Sequence, residues 1–130
     1  MQDTNAKVAR EAFAAFAARD LDRLGQLLDD DITWHTPGRS LLAGDFHGRA
    51  AVIGYLQRAL ELTGQTQRVE PVDLLVGRDH VAALVDISGE RREMTLSDRA
   101  IQLLAFRDGR IVMRRVYPAD QAAFDRFWAP

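Results

Sequence analysis

Apolar residues in the N-terminal half of the chain recur at intervals of three and four, the spacing of one face of an α-helix. The pattern predicts a first helix that begins near Thr4 and ends at Arg19-Asp20, and a shorter second helix capped by Asp20. A third helix is predicted from Arg49 to Thr63, with a stop at Gly64. The apolar positions that define these helices are Val8, Ala12, Phe13, Phe16, Ala17, Leu21, Leu24, Leu27, Leu28, Val52, Ile53, Leu56, Ala59 and Leu60.

Beyond Gly64 the apolar period changes to two, which is the spacing of side chains on one face of a β-strand. A separate run rich in β-branched and aromatic residues, Ile32 to Thr36, lies between the second and third helices and predicts an earlier strand. The predicted order is therefore two helices, one strand, a third helix and then strands. The four later strands are predicted over residues 72–76, 81–87, 94–106 and 111–117.

Turn residues predict how these strands are joined. Asp108-Gly109 is typical of a type I′ hairpin, in which both central residues need positive φ. Ser88–Arg92 predicts another turn, and the acidic run Asp29–Asp31 is expected as a solvated turn before the first strand. The long strand after residue 94 is expected to bend or bulge near Ser97–Arg99, and Pro71 predicts an edge or a bulge because it cannot donate a ladder hydrogen bond.

The order of elements predicts one α+β domain over residues 1–130, with helices on one face of a curved antiparallel sheet. Residues 119–128 are expected to form a short terminal helix, with Phe124, Phe127 and Trp128 as a packing anchor. The strand over residues 81–87 is apolar on both faces apart from Asp86. Since helices cover one face only, the other apolar face predicts a homodimer.

Composition and charge narrow the possible partners. The 130 residues carry 17 basic and 19 acidic side chains, a net charge of −2, without long blocks of either sign, so neither nucleic acid nor an anionic membrane is an expected partner. Cysteine is absent, which excludes disulfides, thiolate nucleophiles and sulfur-bound zinc. The N-terminus lacks the pattern of a signal peptide, and no apolar run approaches the ~18 residues of a membrane span, so a cytoplasmic location is expected.

Motifs for cofactors are also missing from the sequence. It has no glycine-rich phosphate loop, no His-Glu-x-x-His, no carboxylates at metal-ligand spacing and no Gly-x-Ser-x-Gly elbow. We therefore expect no metal and no cofactor. A small hydrophobic molecule is the partner that this composition favours.

Four segments in order resemble the SnoaL-like branch of the nuclear transport factor 2-like superfamily. They are Phe16-Ala17-Ala18-Arg19-Asp20-Leu21-Asp22, Trp34-His35-Thr36-Pro37-Gly38, Leu42-Ala43-Gly44-Asp45-Phe46-His47-Gly48 and Asp108-Gly109-Arg110-Ile111. The resemblance covers essentially the whole chain. It implies a cystatin-like cone, in which a curved sheet wraps around a pocket, three helices from the N-terminal half pack on its concave face, and dimers form through the outer face.

Members of this superfamily include ketosteroid isomerases, polyketide cyclases and dehydratases, so the fold alone does not determine the function. In the ketosteroid isomerases an Asp base, an oxyanion Tyr and a second Asp carry the reaction, a case of pKa tuning that serves as a standard example. By motif, the base position falls on Thr36, the Tyr near Ala12 and the second Asp near Gln102. The resemblance therefore implies that this chain is not a true ketosteroid isomerase.

Three other residues are candidates for catalysis. His35 suits a general base in a dry pocket, although it alternates with Trp34 and Thr36, which by resemblance face into the cone; the alternative is a structural hydrogen bond or a dimer contact. Asp98 is a carboxylate inside a strand, where carboxylates are rare. Apolar neighbours would desolvate it and strengthen it as a base, and the alternative is a salt bridge to Arg99 or Arg114.

Arg114 shares the inward side of the last strand by motif alignment, while Arg115 faces the opposite way. An inward guanidinium could polarise a carbonyl or hold a carboxylate, and the alternative is an ion pair with Asp98 or Asp86. The predicted pocket is mostly apolar, as a small hydrophobic carbonyl compound requires, although the same residues would also suit a plain core. Its predicted lining is Trp34, Thr36, Tyr55, Leu56, Ala83, Val85, Ile87, Gln102 and Val116.

Three functions are compatible with this sequence. The first is a cofactor-independent isomerase, cyclase or dehydratase that acts by proton transfer on a hydrophobic carbonyl compound. The second is a non-catalytic binding protein for a small apolar ligand, and the third is a dimeric interaction module. A titratable side chain in an open cavity favours the first, an open cavity without one favours the second, and a filled cone favours the third.

Overall fold

Four helices and six strands form the fold in the computed structural model, which describes residues 2–130. The helices are α1 (Gln2–Ala17), α2 (Leu21–Gln26), α3 (Arg49–Leu62) and α4 (Gln121–Phe127). The strands are β1 (Leu28–Thr36), β2 (Gly44–His47), β3 (Arg68–Val76), β4 (His80–Arg91), β5 (Met94–Arg107) and β6 (Arg110–Pro118). The predicted α+β class is confirmed.

All six strands belong to one curved sheet with the order β2-β1-β6-β5-β4-β3. Neighbouring strands are antiparallel except β1 and β6, which pair in parallel. The sheet is therefore mixed, and the expectation of a purely antiparallel sheet was wrong at this pair. Parallel neighbours need a long crossover connection, and here the chain from β2 to β5, with α3, connects β1 to β6.

The helices cover one face of the sheet, called here the inner face. Helix α1 packs against β3, β4 and β6, α3 against β1 and β2, and α4 against β5 and β6. Inward residues of β4 such as Val81, Ala83 and Val85 are fully buried, whereas Ala82 and Leu84 on the outer face are only half-buried. Within residues 2–130, no helix is long and apolar enough to span a membrane.

The start of the sheet differs from expectation in two places. Asp29–Asp31 belongs to β1 rather than to a turn, because Asp29 accepts a hydrogen bond from the Asp31 backbone N–H and pairs with Arg107 at 3.0 Å. Strand β2 was missed, since its four residues carry no alternation that a sequence pattern could detect. It pairs with the second half of β1, so Trp34 lies opposite Phe46.

The turn and bulge expected around β4 and β5 also lie elsewhere. Strand β4 continues through Ser88 to Arg91, and the turn consists of Arg92 and Glu93, both with positive φ. The register between β4 and β5 is continuous across Ser97–Arg99, and the irregularity of β5 occurs instead between Ala105 and Phe106, against β6. Polar residues are tolerated at the start of β5 because this part of the strand extends beyond β6 and pairs with β4 alone.

Other local predictions are confirmed. Asp20 caps α2 by accepting a hydrogen bond from the Arg23 N–H at 3.0 Å. Asp108 and Gly109 have φ values of 52° and 76°, as a type I′ turn requires. Pro71 lies in the edge strand β3, at a register shift.

Candidate functional site

A cavity of about 60 Å³ lies between the helices and the inner face of the sheet. Every helix and every strand except β2 contributes to its walls, which are mostly aromatic and aliphatic. The lining residues are Ala12, Phe13, Phe16, Leu24, Leu28, Trp34, Leu42, Tyr55, Leu56, Gln67, Val69, Ile87, Gln102, Leu104, Ile111, Arg114, Phe124 and Trp128.

Arg114 is the charged side chain of this cavity. It is only 5% exposed, and its Nη1 donates hydrogen bonds to the His35 carbonyl oxygen at 3.0 Å and to Thr36 Oγ1 at 2.9 Å. Burial lowers the pKa of its guanidinium, because desolvation disfavours the charged form, and the nearby Tyr55 partly opposes this effect. Among residues 2–130 no carboxylate forms an ion pair with it.

Aromatic rings hold the Arg114 side chain in place. Its Cζ lies 4.5 Å from the centroid of the Trp34 ring and 5.7 Å from that of the Tyr55 ring, which are cation–π distances. The Tyr55 hydroxyl shares a hydrogen bond of 2.8 Å with Thr36 Oγ1, which also accepts from Arg114. The guanidinium is therefore oriented by the end of β1 and by two rings, without a carboxylate partner from residues 2–130.

Several polar atoms of the lining residues are buried and have no hydrogen-bond partner in the described part of the chain. They are Trp34 Nε1, Trp128 Nε1, Arg114 Nε and Gln67 Oε1. Buried polar groups in folded proteins are nearly always paired with protein or with ordered water, so these four atoms leave room for a water or a ligand as their partner. Three of the four are N–H donors.

The candidate base Asp98 lies on the inner face but not in the cavity wall. It pairs across the sheet with Ile87, which does line the cavity. The salt bridges considered for it are absent within residues 2–130, since Arg99 pairs with Asp86 at 2.9 Å, and Asp98 Oδ2 is buried without a partner. The structure thus leaves Asp98 next to the cavity, and its role stays a prediction.

The other candidate base, His35, lies on the outer face. Its Nδ1 is 2.6 Å from Asp45 Oδ1, so its side chain is occupied by a hydrogen bond that spans β1 and β2. This is the structural arrangement that the sequence left open as the alternative. His35 approaches the site only through its backbone carbonyl, which accepts from Arg114.

Five of the nine residues predicted for the pocket line the cavity. Thr36, Ala83, Val85 and Val116 are buried in the core and do not line it; the Thr36 hydroxyl hydrogen-bonds with Tyr55 and Arg114. The five in the wall are Trp34, Tyr55, Leu56, Ile87 and Gln102.

The C-terminal segment contributes residues that the sequence pattern did not assign to the site. Phe124 and Trp128 were expected as a packing anchor, and both also line the cavity. The loop after β1 adds Leu42 and is tied to this segment by a hydrogen bond from the Leu41 N–H to the Trp128 carbonyl oxygen. The aromatic residues of the terminal helix were a visible signal, but the sequence alone gave no distance to the sheet.

No group of three or more His, Asp or Glu residues within residues 2–130 is placed to hold a metal ion. The cavity wall offers a guanidinium, a phenol, two indoles and two amides as polar groups. Such groups orient oxygen-bearing ligands and donate hydrogen bonds to them.

The sequence profile of the SnoaL-like domain matches residues 9–114, most of the chain and most of the cavity wall. The chain belongs to the SnoaL-like family. The resemblance inferred from the sequence is thereby confirmed, and the fold is the one shared by nuclear transport factor 2-like and ketosteroid isomerase-like proteins.

Relatives of this SnoaL-like chain match it end to end. An uncharacterised protein of Mycobacterium tuberculosis is 33% identical over 128 residues, covering 98% of each chain. The structure of Bal32a from a soil-derived mobile gene cassette is 33% identical, covers 98% of each chain and superposes with a TM-score of 0.95. A protein of unknown function with a cystatin-like fold from Xanthomonas campestris is 30% identical, covers 97% of this chain and 98% of its own, and has a TM-score of 0.92.

More distant structures share the fold alone. One is a protein from Catenulispora acidiphila with a ketosteroid isomerase-like fold, in complex with trimethylamine. It is 18% identical, covers 95% of this chain and 93% of its own, and has a TM-score of 0.78.

Proposed function

We propose that this SnoaL-like chain binds a small, mainly apolar organic molecule in its cavity, with Arg114 donating to an oxygen of the ligand. The observation that carries the proposal is the buried Arg114 side chain, which has an unpaired Nε and no carboxylate partner among residues 2–130. A cation in such a place costs free energy, and perturbed buried charges are concentrated at functional sites. A cavity also favours this function over an interaction module with a filled cone.

The size of the cavity favours a compact ligand. At about 60 Å³ it is well below the ~150 Å³ of an engineered apolar cavity known to hold benzene. A polycyclic compound would therefore need the walls to move. The C-terminal segment with Phe124 and Trp128 and the loop with Leu42 lie outside the sheet, and a hydrogen bond from the Leu41 N–H to the Trp128 carbonyl oxygen joins them.

Intrinsic fluorescence tests the binding proposal, because both tryptophans line the cavity. The protein would be titrated with small ketones, amides and acids, from acetone-sized to acetophenone-sized. Binding should change the emission of both single-tryptophan variants, Trp34→Phe and Trp128→Phe.

Two matched variants locate the binding. Ala12→Leu places a larger side chain in the cavity wall and should weaken binding at least tenfold, whereas Ala14→Leu on the exposed side of the same helix should leave it unchanged. Equal affinity in both leucine variants, or no response to any compound in the panel, would contradict the proposal.

Catalysis by proton transfer is a second candidate, supported by Asp98 with its buried, unpaired Oδ2 beside the cavity residue Ile87. A small opening of the wall would bring this carboxylate to the ligand. Compounds that bind would be incubated with wild-type protein and with Asp98→Asn, which keeps the shape and removes the basicity. Turnover that falls by roughly 10²- to 10⁴-fold in the variant would support a general base. Turnover that is equal in the two proteins would remove Asp98 from the mechanism.

A further inference from the structure

We infer that the cavity is built for a carboxylate, so that the ligand is a compact organic acid whose carboxylate pairs with Arg114. This inference rests on the proposed function and narrows it from any oxygen-bearing molecule to an anion.

Charge is the first argument. Among the residues that line the cavity, the only ionisable side chains are those of Arg114 and Tyr55, and no Asp, Glu or His belongs to the wall. The cavity of the free protein therefore holds a positive charge that nothing in its wall balances. Isolated charges in an apolar interior are strongly disfavoured, and burial lowers the pKa of Arg114 because desolvation disfavours its charged form. A bound anion would supply the missing counter-charge.

Geometry is the second argument. The hydrogen bonds that Arg114 makes to described residues, to the His35 carbonyl and the Thr36 hydroxyl, both come from Nη1. Its Nε is buried without a partner, and besides these two acceptors the guanidinium contacts the Tyr55 hydroxyl. The Nε–Nη2 edge of a guanidinium is a fork that matches the two oxygens of a carboxylate. Trp34 packs against the guanidinium at 4.5 Å and helps to fix its orientation.

The remaining unpaired donors agree with this assignment. The indole N–H groups of Trp34 and Trp128 are buried without acceptors, and both residues line the cavity. Donors that outnumber acceptors around one small space favour an acceptor-rich ligand, and an ionised carboxylate accepts only. A neutral carbonyl oxygen accepts up to two hydrogen bonds and leaves the charge unbalanced, whereas a carboxylate offers about four acceptor sites and a negative charge.

Isosteric pairs test the inference without knowledge of the natural ligand. Acetate is compared with acetamide, and isobutyrate with isobutyramide, by calorimetry and tryptophan fluorescence at neutral pH and constant ionic strength. Each acid should bind at least tenfold more tightly than its amide. Arg114→Met should remove this preference, and Arg114→Lys, which keeps the charge without the fork, should retain only part of it.

The matched control is Arg115→Met, on the same strand but exposed on the outer face, which should keep the full preference. A loss of preference in both methionine variants would show that the acids respond to overall charge and would overturn the inference. Amides that bind as tightly as acids and are excluded by Ala12→Leu would overturn the inference while leaving the proposed function intact. If neither acids, amides nor ketones bind, both fall.

Discussion

If the proposed function holds, Arg114 serves ligand binding at the expense of stability. Its desolvated charge has no balancing carboxylate among the described residues, and replacement of buried charges by apolar side chains of similar volume is often neutral or stabilising. Stability and function commonly oppose each other in this way at binding sites.

We expect Arg114→Met to leave the free energy of unfolding unchanged or to raise it by about 1 kcal/mol, measured by urea denaturation. Two hydrogen bonds from Nη1 are lost, but so is the cost of the buried charge. Ile111→Ala, at a wall residue that serves packing, should by contrast lower it by about 2–4 kcal/mol. A loss of more than about 2 kcal/mol in Arg114→Met would indicate a structural role for the arginine.

The chemistry of the site could be predicted from the sequence only where strand alternation applied. The family resemblance placed Trp34 and Arg114 inward, and alternation then put His35 and Arg115 on the opposite face, where the structure has them. It could not place Asp98 relative to the cavity, because that distance depends on where the helices end. It also could not show that Arg114 has no carboxylate partner among the described residues. Asp86, one of the two carboxylates that the sequence offered to Arg114, forms its salt bridge with Arg99 instead.

At the scale of elements, α4 and the loop that follows β1 close one side of the cavity together. Gly38 makes their close contact possible, because its φ is 102° and a Cβ there would overlap the side chains of Asp125 and Gln121. Asp125 in turn accepts hydrogen bonds from the Arg39 N–H at 3.3 Å and from Gln121 Nε2 at 3.1 Å.

We expect Gly38→Ala to lower the free energy of unfolding by about 1–3 kcal/mol, because the added methyl group separates the loop from α4 in a strained backbone conformation. The emission of Trp128 should shift to the red as this side of the cavity opens. Gly54→Ala is the control, because a Cβ added there on α3 meets open space. This substitution should raise the free energy of unfolding by up to about 1 kcal/mol. Equal effects of the two substitutions would contradict this account of the closure.

Elements were predicted well where periodicity or turn chemistry was strong, as in α3 and the Asp108-Gly109 hairpin. Strand β2 and the true start of β1 were not, because four residues are too short for a period and three consecutive Asp residues resemble a solvated turn. In the structure, tertiary pairing with β1 and the ion pair between Asp29 and Arg107 override these local preferences.

At the scale of the whole molecule, the outer face of the sheet carries an apolar row. Leu84, Ile101 and Tyr117 lie side by side on β4, β5 and β6, and the latter two are 42% and 50% exposed. Leu75 on β3 is 64% exposed. An exposed apolar patch of this kind marks an interaction surface, and a second copy of the chain is the partner that we expect.

Light scattering at micromolar concentration should therefore give about twice the chain mass of 14.6 kDa. Ile101→Lys should convert the protein to a monomer without unfolding it, since the residue faces solvent in the single chain. Ala14→Lys, on the exposed side of α1, should keep the dimer. A wild-type mass near 14.6 kDa would contradict the expectation.

The parallel pairing of β1 with β6 has a consequence for synthesis of the protein. One edge of β1 can pair with β2 as soon as both have left the ribosome, but the other edge waits for a strand that ends at Pro118. At about 5–20 residues per second, the delay between Thr36 and Pro118 is roughly 4–16 s. During that time the Trp34 side of the sheet lacks its neighbour, and Arg114 has not yet been made. The nascent chain is thus exposed to chaperones and to misassembly until β6 has left the ribosome, and the cavity closes only after α4 has followed it.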